Sequence, residues 1–161
     1  MIRMSKLTDY GIVLLAQLAQ LDRVGHGAAP GDVRPPHNAR ELAEVTHLPL
    51  PVVSKLLKTL AREGILASHR GAKGGYTLAR RPETLTVAEV IRVLEGPIAL
   101  TECGAHPGAC VQETLCQLRA PWQRINDVIA GALQQVTLAE LVPPPPAAGG
   151  AREGHALAIR G

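Results

Sequence analysis

Phenylalanine is absent from the 161 residues, and one tryptophan and two tyrosines are the only aromatic side chains. A core must therefore be aliphatic, built from Leu, Val, Ile and Ala. Long apolar runs are absent too. The longest, GIVLLA at residues 11–16, falls far short of the roughly 20 residues a bilayer span needs. Gln17 and Gln20 break the apolar stretch near the N-terminus and no cleavage site follows, so no signal peptide is read and a cytoplasmic protein is expected. No nucleophile–base pair, phosphate loop, acid pair or internal repeat is found, and no enzyme, small-molecule substrate or membrane partner is expected. Cysteine is scarce, and all of it is in one place: Cys103, Cys110 and Cys116 fall within TECGAHPGACVQETLCQ, residues 101–117. In a reducing compartment such clustering favours metal binding or redox chemistry over a structural disulfide. Three is one too many for a disulfide and one too few for a closed tetrahedral site.

Charge is unevenly spread. Residues 1–81 carry 12 Lys and Arg against 6 Asp and Glu, a net of +6, whereas residues 82–161 carry 5 against 8, a net of −3. A basic first half joined to a mildly acidic second half suits a DNA-binding lobe attached to a sensing or dimerising lobe.

Periodicity supplies the elements. Leu7, Tyr10, Leu14, Leu18 and Leu21 predict an amphipathic helix over 6–21. After a Gly/Pro-rich loop, Asn38 is a good N-cap with Glu41 in capping-box spacing. The turn THLPLP leads to VVSKLLKTLAREG, a helix with Pro51 in its first turn and Gly64 as its stop. Val53, Leu56, Leu57 and Leu60 should face inward, and Ser54, Lys55, Lys58 and Arg62 outward. Two short helices joined by a tight turn, the second basic on its outer face, form a helix-turn-helix pattern. ILASH and YTLA then read as strands around the tip RGAKGG, a basic hairpin that glycine lets approach another backbone. The expected fold is mainly α with a small β-hairpin wing. LTVAEVIRVLEG follows as a helix, with Thr86 and Glu89 in capping-box spacing and a stop at Gly96. The cysteine segment shows no packed helix or strand. Beyond it Pro121 can start a helix whose Trp122, Ile125, Ile129, Ala132 and Val136 form a heptad-like seam, suited to the same helix of a second subunit. TLAEL reads as a last helical turn. The expected units are 1–81, a winged helix-turn-helix; 82–142, the cysteine loop and a long dimerisation helix; and 143–161, a disordered Pro/Gly/Ala tail.

Five blocks in order carry a family resemblance: SKLTDYGIVLLAQLA, ELAEVTHLPLPVVSKLLKTLAREGIL, SHRGAKGGYTLAR, LTVAEVIRVLEG and the spaced cysteines. Over residues 1 to about 142 the chain resembles the IscR/NsrR-type winged-helix regulators, which bind iron–sulfur clusters. Its opening block is most similar to the branch that regulates the SUF cluster-assembly operon. The resemblance implies a homodimer on a palindromic operator, with Trp122, Ile125, Ile129 and Val136 in the dimer interface. Pro51, Ser54 and Lys55 match positions that face base edges, and Arg70 matches an arginine placed in the minor groove. Lys58 and Arg62 suit phosphate contacts, and Lys73 suits close approach to the backbone. At the Ser54 position IscR carries a glutamate that helps discriminate operators, so operator choice does not transfer.

Thiolates are soft ligands suited to iron–sulfur clusters. From composition alone, a cluster and a zinc ion completed by His106 stand level. The resemblance favours the cluster. IscR places a histidine three residues after its last cysteine, where this chain has Arg119, a very poor ligand. The implied fourth ligand is Asp9 of the partner subunit, as in the NsrR-type branch, with His106 the local alternative. The histidine pattern goes with [2Fe–2S] and the aspartate pattern with [4Fe–4S] as well, which leaves nuclearity open. Alternatives to a cluster-supply sensor are a nitric-oxide-sensing NsrR-type repressor and a zinc- or thiol-based regulator.

Overall fold

The computed structural model describes residues 4–24, 35–71, 73–106 and 108–142. The expected tail, 143–161, lies outside them. The first helix, α1 (Lys6–Val24), buries Leu14, Leu15, Leu18 and Ala19 and runs three residues past its expected end. Asn38 caps α2 (Ala39–Thr46), its side chain accepting from the Glu41 N–H at 3.0 Å. Only half of the expected box forms there. The Glu41 carboxylate turns instead to His37 Nδ1 at 2.8 Å, a neighbour one turn back on the same surface. A left-handed His47 (φ 55°) ends α2, and α3 (Leu50–Arg62) follows with Pro51 in its first turn. Gly64, at φ +75°, lies just past its end, in a backbone region that costs other residues energy.

Val53, Leu56, Leu57 and Leu60 of α3 are all fully buried, the inward face expected from their spacing. Each contributes about 1.5–3 kcal/mol by leaving water. Strands β1 (Leu66–His69) and β2 (Gly75–Leu78) pair antiparallel, with Leu66 opposite Leu78 and His69 opposite Gly75. His37 adds an isolated bridge to Tyr76 of β2. His37 N–H donates to Tyr76 O at 3.0 Å, and Tyr76 N–H donates back at 2.9 Å. The wing is thus fastened to the residue before the α2 cap.

A 3-10 turn (Pro82–Thr84) leads to α4 (Val87–Glu95), where both halves of the Thr86–Glu89 capping box are present. Burial alone pushes the Glu89 carboxyl up, but Arg80, at 2.9 Å, and Thr86 outweigh it and hold it below the usual range. The cysteine segment contains a short helix after all, α5 (Glu102–Ala105). The long helix α6 (Arg119–Gln135) begins two residues before Pro121. Val136, expected on its seam, is its C-cap. After it, α7 (Leu138–Leu141) returns to the body of the protein: Val87 N–H donates to Val136 O at 2.9 Å, and Leu138 N–H to Leu85 O at 2.7 Å. Leu85, Val90, Leu138 and Val142 join the same apolar core as α1–α3, so packing crosses the division expected at residue 81.

Candidate cysteine site and nucleic-acid interface

On the outer face of α3, Pro51, Lys55, Lys58 and Arg62 are exposed and Ser54 is half-buried. Arg70 and Lys73 are exposed at the hairpin tip. Gly71 (φ +113°) and Gly74, where a Cβ would collide with the His69 carbonyl, let that tip turn tightly. Arg62 is held by Glu63 at 3.0 Å. Lys55, Lys58, Arg70 and Lys73 have no ion-pair partner among the described residues, so their charge is available to phosphates. A helix and a wing project cations from one rigid core, as major-groove reading with a flanking contact requires.

The cysteine loop leaves α4 at Gly96, where φ is +95°. Cys103, Cys110 and Cys116 are free thiols, each half-buried. Cys103 lies on α5, with its sulfur 3.4 Å from Thr101 Oγ1. Thr101, Cys103, Gly104, Arg119 and Gln123 line one small crevice between α5 and the start of α6. Glu113, only 9% exposed, ties the loop together. Its carboxylate accepts from the Gly108 N–H and meets Arg119 Nη2 at 2.9 Å. Arg119, standing where a fourth ligand would be sought, therefore serves as a clamp. Among the described residues no three His, Cys, Asp or Glu side chains are gathered as a metal site. His106 is exposed, and within one chain neither it nor Asp9 completes such a group with the thiols.

Asp9 stands exposed in the first turn of α1. That turn is fixed by the C-terminal end of α4, the end from which the cysteine loop departs: Glu95 accepts from the Ser5 N–H, and the Thr8 hydroxyl is hydrogen-bonded to the same carboxylate. Burial raises the Glu95 carboxyl, but these bonds prevail and hold it below the usual range. A Cβ at Gly11 would collide with Leu94, so α1 and α4 cross closely just beside Asp9. On α6 the expected seam is open to solvent, with Trp122 37%, Ile125 43% and the neighbouring Val128 72% exposed.

The family model described as "Rrf2: Iron-dependent Transcriptional regulator" matches residues 4–144, a span that includes every described residue. The chain belongs to the Rrf2 family. The HTH-type transcriptional regulator CymR of Bacillus subtilis is 30% identical over 132 residues, 82% of this chain and 83% of CymR. Its solved structure, described as the global cysteine regulator, matches with a TM-score of 0.62 over 88% of this chain and 96% of that one. The HTH-type transcriptional regulator IscR of Escherichia coli is 30% identical over 102 residues, 63% of this chain and 62% of IscR, so the match spans less than two-thirds of either. The structure of T. potens IscR matches at 28% identity with a TM-score of 0.59, over 87% of this chain and 85% of that one.

This Rrf2-family protein is a DNA-binding transcriptional regulator with a winged-helix fold, and its relatives are regulators, not enzymes. No helix among its described residues is long and apolar enough to cross a membrane. Two residues of the cysteine region escaped sequence reasoning. Glu113 had one visible sign, an acidic residue between Cys110 and Cys116. Asn126 had none, because its burial comes from a packing partner 26 residues away.

Proposed function

We propose that this Rrf2-family regulator is a cytoplasmic homodimer that senses an iron–sulfur cluster and controls a cluster-assembly operon of the SUF type. In this reading residues 1–81 bind a palindromic operator, and 82–142 carry the sensing loop and the dimer helix. Cys103, Cys110 and Cys116 hold the cluster, and Asp9 of the partner subunit completes it. The observation that carries the reading is the confinement of all three free thiols to the single loop between α4 and α6. The donor set suits the group in chemistry. The ligands are soft, half-buried thiols in a loop whose other residues are mostly exposed, within reach of iron and sulfide. A bound cluster would supply a cross-link that depends on iron, sulfide and redox state.

The protein's own residues supply the rest. Pro51, Ser54 and Lys55 face base edges and Arg70 enters the minor groove, while Lys58 contacts phosphates and Lys73 approaches the backbone closely. The Ser5–Thr8–Glu95 contacts hold Asp9 at a fixed height on the core. Trp122, Ile125 and Ile129 offer an apolar stripe to a second copy, which an isolated helix needs for stability.

Anaerobic purification with an iron, sulfide and zinc count, followed by operator binding of wild type and Cys110→Ala, tests the reading. Iron and sulfide together, with operator affinity altered in Cys110→Ala, support it. Zinc without sulfide replaces the cluster with a zinc site. The relation to a global cysteine regulator favours one further reading, a thiol-based switch. It would appear as operator affinity that responds to thiol oxidation in metal-free protein.

A further inference from the structure

His69 is the histidine of the hairpin, and none of the DNA contacts named above uses it. It closes β1 directly before Arg70 and is exposed. Its partner across the hairpin is Gly75, which has no side chain to cover the ring. One ring nitrogen is committed to the protein: Nε2 lies 2.9 Å from the hydroxyl of Thr77, a residue only 6% exposed. A hydroxyl can donate or accept. Thr77 can therefore donate to a neutral imidazole and accept from a charged one, holding the ring in place in both states. Nδ1 has no hydrogen-bond partner among the described residues.

The charges around the ring are cationic. Arg70 and Lys73 stand beyond it at the tip, and α3, which packs on β1, turns Lys55, Lys58 and Arg62 outward. No Asp or Glu occurs in α3 or in the hairpin itself. The acids beside them are engaged, Glu63 with Arg62 at 3.0 Å and Glu41 with His37 at 2.8 Å. On α1, which packs on β2, Lys6 and Arg23 balance Asp9 and Asp22. A proton on His69 thus meets cations, and an anion from outside is what would hold it.

We propose that His69 is a phosphate contact of the wing, and that its imidazole takes up a proton when the wing seats on DNA. The inference rests on the reading above that Arg70 enters the minor groove. That groove is about 6 Å wide and walled by phosphates, and neighbouring Cα atoms are about 3.8 Å apart. An arginine inside it therefore carries the residue before it to the rim. There Nδ1–H donates to a phosphate oxygen, and the charged ring adds one contact that releases a counterion. Imidazole changes charge within the range of about pH 5 to 8. The bound state carries one more proton than the free state, so affinity falls as pH rises.

The probe is a duplex selected from a random pool by the full chain, purified anaerobically. Its affinity is titrated from about pH 6 to about pH 8 at several salt concentrations. The proteins are wild type, His69→Gln, His69→Lys, His47→Asn and Arg70→Ala, and urea midpoints check that each is folded. Glutamine keeps a hydrogen bond to Thr77 without a titrating charge, and lysine stays charged throughout. His47, exposed in the turn before α3, is the control. The expected result is wild-type binding about tenfold tighter at the acid end, with a salt slope steeper there by about one per wing. His69→Gln flattens both, His69→Lys keeps the tight binding at the alkaline end, and His47→Asn follows wild type. A flat wild-type profile overturns the inference, and so does a profile that survives unchanged in His69→Gln. Arg70→Ala that binds as tightly as wild type defeats the minor-groove reading itself. Weakened binding in Arg70→Ala, with the pH profile intact in His69→Gln, sinks the inference alone.

Discussion

Replacing Glu113 tests what holds the cysteine loop in shape. The carboxylate is 9% exposed and accepts both from Gly108, which precedes Cys110, and from Arg119, which opens α6. A charged hydrogen bond contributes roughly 1.5–3 kcal/mol when buried. The Arg119 side chain is 50% exposed, so solvent screens the ion pair to about 0.5–1 kcal/mol. Glu113→Gln keeps an acceptor for Gly108 but loses the charge, a cost of about 1–2 kcal/mol. Glu113→Ala loses both contacts and should cost about 2–3 kcal/mol. Since about 1.4 kcal/mol is tenfold in an equilibrium, amide hydrogen exchange across 108–118 should quicken by about tenfold in the first variant and more in the second. None of these residues belongs to the apolar core, so the urea midpoint should hardly move. A double-mutant cycle with Arg119→Gln should return a coupling of about 0.5–1 kcal/mol. Unchanged exchange in Glu113→Ala would refute the clamp, and so would a fall in global stability as large as the local effect.

Three further outcomes follow from the geometry. Lys58→Ala should weaken binding to all operator sequences alike and reduce the salt slope by about one, whereas Lys55→Ala should cost about 1–3 kcal/mol chiefly on the preferred sequence; titrations at several salt concentrations separate them. Gly75→Ala would place a Cβ 2.5 Å from the His37 carbonyl oxygen, break the His37–Tyr76 bridge, and cost about 2–4 kcal/mol in urea unfolding, whereas an unshifted midpoint would show that the bridge carries nothing. Glu89 and Glu95 are held below their ordinary values, so each stabilises the fold fully above the unfolded glutamate value, near 4.3, and loses that contribution as pH falls through its lowered folded value. Urea midpoints should therefore decline below about pH 4.3, and Glu95→Gln should flatten the decline.

Most of the DNA-binding half was legible because its signals are local. The 3.6-residue spacing of Val53, Leu56, Leu57 and Leu60 reports burial directly, and Asn38, Thr86 and Gly64 mark ends by chemistry that acts within one turn. Even there, Glu41 went astray, since a capping box leaves its glutamate free to choose His37. The cysteine region was legible as a set of ligand types and illegible as a shape. Four residues with a glycine among them carry too little propensity to announce α5. Arg119 could be read as a failed ligand, but its partner Glu113 is chosen by how the loop closes. The return of α7 depends on Leu138 and Val142 finding a core made by residues far earlier in the chain. Asn126 is polar on a helix whose other residues are exposed or half-buried, so its periodicity gave no sign that it alone would be buried.

The two ends of α4 explain how a loop outside the core can bear on α3. At the C-terminal end of α4 Glu95 is bonded to Ser5 and Thr8 at the start of α1. At its N-terminal end Thr86 is bridged to Thr137, where the chain re-enters the core after α6. The segment between Gly96 and Val136 is therefore an excursion whose departure and return are both fastened to one nine-residue helix. Strain in the excursion has two soft points to relax at, the left-handed Gly96 and the non-helical Val136. What they do not absorb falls on α4, and through it on α1, whose buried face shares the core with Val53, Leu56 and Leu60 of α3. A close-packed interior passes such displacement on, because it has few voids in which to lose it. The cysteine loop thus needs no contact with α3 to affect it; a rigid α4 with anchors at both ends is sufficient.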